Sequence, residues 1–87
     1  MSSKTWWVYM VFCSDGTYYT GVTTDVRRRV HEHNHTKKGA KYTRSRRPVR
    51  CVWRSEAGSR GEAQRREANI KKMSRTEKII WLNTTLG

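Results

Sequence analysis

Five residues spread along the chain are of the types that phosphodiester hydrolysis uses: Tyr9, Tyr19, Arg29, His33 and Glu67. That reaction needs a cation to offset the charge of the phosphate, a base to activate water and, commonly, a metal ion that holds the leaving oxygen. A phenol has an ordinary pKa of about 10, so it serves as a base only beside positive charge that favours the phenolate. The fold must therefore bring these side chains together.

The first predicted helix directs two of these residues inward. The segment "TTDVRRRVHEHN", residues 23–34, has helical spacing, and Val26 and Val30 set its apolar stripe. Positions three, four and seven residues after Val26 share that stripe, which places Arg29 and His33 toward the sheet. An inward arginine must be paired or must meet an anion. The alternative is that Arg29 snorkels out from the edge of the stripe.

A later helix carries a carboxylate in the same kind of position. Ala63 and Ile70 define its apolar stripe, and Glu67 lies on the stripe between them. A carboxylate there requires a cation. Spacing alone leaves two alternatives open, which are a structural ion pair with an arginine and a metal-binding site.

The two tyrosines come from a predicted hairpin whose register the sequence leaves open. A two-residue Asp-Gly turn would pair Tyr9 with Val22 and put Tyr9 and Tyr19 on opposite faces. A three-residue loop, with Gly16 in the left-handed conformation, would pair Tyr9 with Gly21 and put both tyrosines on one face. Asp-Gly suits both turns, so the local sequence does not choose between them.

Periodicity and turn signals predict one domain over residues 1–87 with the element order β–β–α–β–α–α. The expected architecture is α/β in the broad sense, an α+β fold with a small antiparallel or mixed sheet flanked by helices. Residues 35–47 are expected to form a basic, structure-poor loop. The capping boxes "SRGE" and "SRTE" start the last two helices. The other elements are expected at residues 5–13, 17–22, 23–34 and 49–55, with helices ending near residues 73 and 83.

The charge distribution predicts a polyanionic partner. The chain has 19 Lys and Arg against 7 Asp and Glu, and eleven of the basic residues lie between Arg27 and Arg54. Clustering of this kind among aromatic residues favours nucleic-acid binding over a merely solvated basic surface. Tyr42 is expected either to stack on a base or to pin its loop to the core. The candidate contacts to nucleic acid are Arg27, Arg28, Lys37, Lys38, Lys41, Tyr42, Arg44, Arg46 and Arg47.

Taken in order, these residues resemble the GIY-YIG endonuclease family. "WVY" at residues 7–9 and "YTG" at residues 19–21 stand where the family has its two tripeptides, although Trp7, Val8 and Thr20 differ from the family pattern. The similarity continues through "DGTYYTGVTTDVRRRVHEHN", "GAKYTRSRRPV" and "REANIKKMSRTEK". It covers nearly the whole chain and is closest in kind to the small stand-alone members.

The resemblance implies a three-stranded antiparallel sheet flanked by helices, and it favours the three-residue hairpin loop. It implies hydrolysis of nucleic-acid phosphodiester bonds with one divalent metal ion, for which Mg²⁺ or Mn²⁺ is expected. The leading hypothesis is a metal-dependent endonuclease that acts on DNA, or on a branched or single-stranded intermediate, during repair or recombination. By position, the resemblance suggests Tyr9 as general base and Tyr19 in ordering water or phosphate. It suggests Arg29 in stabilising phosphate charge and His33 in moving protons or orienting Tyr9. Glu67 would be the metal ligand, with Glu62 as the fallback.

Other function classes are less well supported. The rival hypothesis is a non-catalytic basic module that binds DNA or RNA. No apolar run approaches the roughly 20 residues that cross a bilayer, and the first residues lack a signal-peptide pattern, so a cytoplasmic protein is expected. Neither a membrane partner nor a small-molecule cofactor is expected, whereas a protein partner could supply specificity. Cys13 and Cys51 are expected to be buried free thiols.

Overall fold

The chain folds into a three-stranded antiparallel sheet of order β2-β1-β3 with helices on both faces, which confirms the predicted fold class. The structure is a computed structural model and describes residues 5–86. None of its helices in this range is long and apolar enough to cross a bilayer. The elements are β1 (Trp6–Cys13), β2 (Tyr18–Thr23), α1 (Val26–His35), α2 (Lys41–Arg44), β3 (Val49–Ala57), α3 (Arg60–Lys71) and α4 (Arg75–Leu86).

Strand β1 is the centre of the sheet and separates two small cores. Val8 and Met10 point to one face, where they pack with residues of α3 and α4. Tyr9, Val11 and Cys13 point to the other face, where they pack with Val26 of α1 and Val49 of β3. The prediction of a strand buried on both faces is therefore confirmed. Because β1 alternates between two apolar environments, almost none of its positions can be polar.

The hairpin has the three-residue loop. Tyr9 pairs with Gly21 and Val11 pairs with Tyr19, so both tyrosines face α1. Gly16 has a φ of 84°, in the left-handed region that suits glycine. The Asp15 carboxylate accepts hydrogen bonds from the backbone N–H and hydroxyl of Thr17, at 3.2 and 2.6 Å. The loop thus fixes the register that brings Tyr9 and Tyr19 to one face.

Helix α1 is held at both ends. The Asp25 carboxylate caps its first turn by accepting from the N–H of Arg28 at 3.0 Å. Near the other end, the Asn34 side-chain amide donates to the carbonyl of Val49 and accepts from its N–H, at 2.9 and 2.7 Å. This two-way contact docks α1 on β3 and sets the direction of its inward stripe.

Two predictions about elements and one about burial are wrong in detail. Residues 35–47 contain the one-turn helix α2, which forms because the Thr43 hydroxyl and N–H both donate to the carbonyl of Ala40. The last helix extends to Leu86 rather than to residue 83. Cys51 is exposed, since β3 is an edge strand whose α1-facing side is only partly covered, whereas Cys13 is buried as expected.

The two capping boxes differ. Ser74 and Glu77 exchange hydrogen bonds in the reciprocal pattern that the sequence predicts. Ser59 accepts from the N–H of Glu62, but the Glu62 carboxylate reaches one residue further back, to the N–H of Gly58 at 2.7 Å. The Glu62 carboxylate also pairs with Arg66 at 2.8 Å. It is therefore occupied at the start of α3.

Candidate active site

Tyr9 lies at the centre of the candidate site. It is only 1% exposed, and its ring extends from β1 over the backbone of Gly21 in β2. A Cβ atom added to Gly21 would come within 2.5 Å of the Tyr9 hydroxyl oxygen. The missing side chain of Gly21 therefore provides the space that the phenol occupies.

The buried ring of His33 supports the Tyr9 hydroxyl. His33 Nε2 lies 2.7 Å from the hydroxyl oxygen of Tyr9. The opposite nitrogen, Nδ1, lies 3.2 Å from the backbone nitrogen of Ala40 and 3.0 Å from Oγ1 of Thr43. A backbone N–H can only donate, so Nδ1 accepts and the neutral ring carries its proton on Nε2. This network assigns His33 as the donor to the Tyr9 oxygen.

The environment keeps His33 neutral. The pKa of His33 is lowered to about 4, mainly by burial and also by the positive charges of Arg29 and Arg47, against the opposing effect of Glu32. An imidazole with this pKa carries no charge at neutral pH. His33 is therefore a hydrogen-bond donor in a fixed orientation and contributes no net charge to the site.

This burial predicts acid-sensitive stability. The ordinary pKa of His33 is 6.5 and the folded value is about 4, so the unfolded state binds more protons between these pH values. The free energy of unfolding is therefore expected to fall by about 3 kcal/mol as the pH drops from 6.5 to 4. Urea unfolding at pH 7, 5.5 and 4.5 measures this loss.

Two variants isolate the contribution of His33. His33→Gln should lose most of the pH dependence above pH 4.5, whereas His31→Gln, at an exposed position of the same helix, should keep it. Below that pH, carboxylates with lowered pKa values add their own losses, and these are Asp15, Glu62 and Glu77. An unchanged slope in His33→Gln would contradict the assignment.

The pKa of Tyr9 is raised. Burial is the main cause, and the neighbouring phenol of Tyr19 and carboxylate of Glu67 act in the same direction, whereas the charge of Arg29 acts in the opposite direction. The phenol is therefore protonated at neutral pH in the unliganded protein. Further positive charge close to its oxygen would favour the phenolate.

Arg29 lies at the edge of the inward stripe. Its side chain is 23% exposed and pairs with Glu32 at 3.0 Å, and it also donates to the carbonyl of Lys38 at 2.8 Å. Burial alone would lower the pKa of Arg29, but Glu32 and Tyr9 outweigh burial and raise it. The sequence left open whether Arg29 is paired inside or extends out from the edge of the stripe. Each alternative describes part of its position, since Arg29 is paired and also partly exposed.

Tyr19 packs edge-on against the ring of His33, with centroids 5.4 Å apart. Its own ring stacks on Tyr42 at 5.8 Å, and the guanidinium of Arg46 covers the ring of Tyr42 at 3.9 Å from its centroid. Arg46 in turn pairs with Asp15 in the hairpin loop at 2.9 Å. Tyr42 therefore pins its segment to the core and supports Tyr19.

Glu67 reaches the site from α3. Its side chain is 21% exposed, and its ion pair is with Lys71 at 3.5 Å rather than with an arginine. Among residues 5–86 no three His, Cys, Asp or Glu side chains are grouped as a metal site. Mg²⁺ often binds proteins through one or two carboxylates, several waters and substrate phosphates. A single accessible carboxylate fits that mode of binding.

The residues predicted to contact nucleic acid fall into two groups. Three arginines of residues 44–47 hold their own segment: Arg44 donates to the carbonyl of Lys37, Arg46 pairs with Asp15, and Arg47 donates to the carbonyls of His33 and Thr36. The second group consists of Arg27, Arg28, Lys37, Lys38 and Lys41, which are exposed, as is Arg44 of the first group.

Sequence reasoning did not identify the residues that position His33 and Arg29. Ala40 and Thr43 contact His33 from a segment without periodicity, so no spacing rule connects them. Glu32 lies three residues after Arg29 on the same helix, a separation at which helical ion pairs form. This spacing could have identified Glu32 as the partner of Arg29.

Residues 5–79 of this chain match the protein family described as "GIY-YIG catalytic domain". The chain is 56% identical over 73 residues to a UPF0213 protein of Desulfotalea psychrophila. The matched region is 84% of this chain and 66% of that relative. The chain is 58% identical over 71 residues to a UPF0213 protein of Halobacterium salinarum, covering 82% of this chain and 91% of that one.

Two solved structures are similar to this fold. The solution NMR structure of the protein EF2693 from E. faecalis is 41% identical, has a TM-score of 0.64 and covers 97% of this chain and 88% of its own. The solution NMR structure of the UPF0213 protein BH0048 from Bacillus halodurans is 44% identical and has a TM-score of 0.59. The match covers 92% of this chain and 84% of that one. Both names leave the activity of those proteins unstated.

Proposed function

Because the chain belongs to the GIY-YIG catalytic-domain family, a family of nucleases, we propose that it is a divalent-metal-dependent endonuclease. The proposed substrate is nucleic acid, with DNA in repair or recombination as the first choice, in the cytoplasm. The observation that carries the proposal is the buried Tyr9–His33 hydrogen bond with the Arg29 guanidinium and the Glu67 carboxylate acting on the same phenol.

Arg29 would bind and stabilise the scissile phosphate. Its guanidinium is held by Glu32 and the carbonyl of Lys38, so it is oriented before substrate arrives. Donors that are fixed in advance stabilise the charge that develops in the transition state without reorganising. Arg29 also favours the phenolate form of Tyr9.

Tyr9 would accept the proton of the attacking water. His33 keeps the phenol oxygen in place by donating from Nε2, and this bond strengthens when the oxygen becomes negative. Nε2 already carries a proton and cannot accept another, so in this scheme the hydroxyl proton of Tyr9 passes to water before the phenolate accepts the proton of the attacking water. His33 therefore orients and stabilises Tyr9 and does not deprotonate it.

Glu67 would hold the divalent cation through its carboxylate. Waters and phosphate oxygens would complete the coordination, as is common for Mg²⁺. When bound, the ion supplies Lewis-acid stabilisation of negative charge on the phosphate and the leaving oxygen. Lys71 pairs with Glu67 and lies over the ring of Tyr19, 5.8 Å from its centroid, so it adds positive charge beside the proposed metal ligand.

The proposal is tested with purified protein on supercoiled plasmid, branched DNA and single-stranded RNA, with Mg²⁺, Mn²⁺ or EDTA. Metal-dependent nicking by the wild type is expected, and Tyr9→Phe and Glu67→Gln should both lose it while still binding DNA. Binding without cleavage in all conditions would favour a non-catalytic nucleic-acid-binding module instead.

A Gly21→Ala variant is expected to cleave about 100-fold more slowly. The added Cβ would overlap the Tyr9 phenol, and displacement of a catalytic group by about 1 Å costs a factor of this size. Single-turnover cleavage measures the effect. Gly61→Ala is the matched control, because its added Cβ meets only ordinary contacts at 3.8 Å or more. Equal rates in the two variants would contradict the crowding argument.

A further inference from the structure

A groove lies between α1 and the edge strand β3, on the same face of the sheet as the candidate site but toward the opposite edge. Tyr9 extends toward β2, where its hydroxyl lies over Gly21, whereas the groove opens toward β3. Its volume is about 790 Å³, within the usual range of ligand pockets. Its lining consists of Val26, Arg27, Val30, Cys51, Val52, Trp53 and Arg54.

The groove combines an apolar floor with two cations. Val26 and Val30 of α1 supply apolar surface, and no carboxylate is present among the lining residues. Arg27 and Arg54 are both exposed, and within residues 5–86 neither forms an ion pair. Two free guanidiniums beside apolar surface suit a ligand that is both anionic and flat.

Arg54 has the geometry of a stacking platform. Its guanidinium lies over the ring of Trp7, 5.5 Å from the ring centroid, so the ring supports one face of the cation. A guanidinium plane can stack on a nucleobase with its other face. Arg54 also pairs in register with Tyr9 on the neighbouring strand, which places this platform beside the catalytic strand position.

We propose that this groove binds an unpaired nucleotide of the substrate, with its base against the valines and Arg54 and its phosphate on Arg27. The inference rests on the proposed function and assigns a substrate class to it, namely nucleic acid with a single-stranded segment. A duplex hides the faces of its bases and presents phosphates outward, so it gains nothing from an apolar floor. An unpaired nucleotide offers both the base face and the phosphate.

A peptide strand added to the edge of β3 is the less favoured occupant. The pairing of β1 with β3 is shifted by an irregularity after Met10, which breaks the regular pattern of β3 beside the groove. Arg50 and Arg54 also lie on this edge strand, and charged residues discourage strand addition. The free cations instead favour an anionic ligand.

The test measures affinity for a labelled oligothymidine and for a duplex of equal length by fluorescence anisotropy. Arg27→Ala/Arg54→Ala is expected to weaken single-strand binding at least about 10-fold more than duplex binding, as stacking and a phosphate contact are both lost. Arg50→Ala/Arg60→Ala is the matched control, since these arginines lie over Phe12 and Trp6 on the other face of the sheet.

Three outcomes would overturn the inference. Equal losses in the two double variants would show that only net charge matters. Equal binding of an abasic strand and the oligothymidine by the wild type would exclude the base contact. Competition by an uncharged extended peptide, with no effect of the arginine variants on single strands, would support strand addition instead. An oligouridine tested alongside distinguishes an RNA segment from a DNA segment.

These measurements separate the groove from the catalytic proposal. Arg27→Ala/Arg54→Ala should raise the KM for a substrate with a single-stranded flap at least about 10-fold more than it raises the KM for duplex plasmid. If the wild type cleaves nothing but the groove variant still loses single-strand binding, the groove inference stands and the nuclease proposal fails. If cleavage is normal and single-strand binding is unaffected, only the groove inference fails.

Discussion

Tyr9→Phe is expected to cut at least about 1,000 times more slowly than the wild type, because a positioned general base contributes roughly 100- to 10,000-fold. The variant keeps the ring that packs beside Gly21 and removes only the oxygen that would accept the proton. The burial-raised pKa of Tyr9 gives a second signature. Below that pKa the phenolate fraction rises tenfold per pH unit, so wild-type cleavage should increase from pH 6 to 9 and the variant should be flat.

Stability must be measured alongside, since Tyr9→Phe leaves the Nε2–H of His33 without its partner. Loss of a buried hydrogen-bond partner costs about 1–3 kcal/mol, which should lower the urea midpoint without unfolding the protein at 25 °C. Tyr18→Phe is the matched control, since Tyr18 lies on the opposite face of the sheet and packs with the other core. Full cleavage by Tyr9→Phe would exclude this tyrosine as the base.

Glu67→Gln is expected to abolish stimulation by Mg²⁺, with a loss of about 1,000-fold in cleavage at saturating metal. Stabilisation by a metal ion contributes several kcal/mol to phosphoryl chemistry, and each 1.36 kcal/mol is a factor of ten. Binding of nucleic acid should persist or tighten, because the substitution removes a negative charge and releases Lys71 from its ion pair. The decisive readout is the dependence of cleavage on metal concentration.

Glu62→Gln separates the two candidate carboxylates on α3. Glu62 accepts from the N–H of Gly58 and pairs with Arg66, so its substitution should weaken the start of α3 slightly and leave metal stimulation intact. If Glu62→Gln loses metal stimulation and Glu67→Gln keeps it, the metal ligand has been assigned to the wrong residue.

Helical periodicity was sufficient to predict the orientation of the site residues on α1. Val26 and Val30 define the face that meets the sheet, and the structure buries His33 and half-buries Arg29 on that same face. The prediction succeeded because a helix docked by its apolar stripe has little freedom to rotate. The catalytic roles of these residues remain predictions.

The hairpin register and the support of His33 could not be derived from local sequence. Asp15-Gly16 is compatible with both turns, and the packing of Tyr9 over Gly21 distinguishes them only once the sheet is assembled. Thr43 contacts the imidazole from ten residues away, in a segment whose charge indicated a solvated loop. Contacts of this kind depend on tertiary packing, which composition and periodicity do not encode.

The arginines of residues 44–47 show where charge counting misleads. A guanidinium has five N–H donors, so it can satisfy backbone carbonyls as readily as phosphates. Arg47 donates to two carbonyls at the end of α1, and Arg46 joins the hairpin loop to Tyr42. Nothing in the sequence distinguishes these residues from the exposed lysines nearby.

The division of the protein into two cores means that the proposed catalytic groups are held by packing on opposite faces of the sheet. Tyr9 and His33 are held in the core under α1, whereas Glu67 is carried by α3, which packs with Leu82 in the core across the sheet. Transient undocking of α3 would remove the carboxylate and leave the phenol and imidazole in place. The fraction of active molecules would then follow the equilibrium between docked and undocked α3. Because Leu82 packs in the core that holds α3, Leu82→Ala could lower turnover without altering Tyr9, His33 or Glu67.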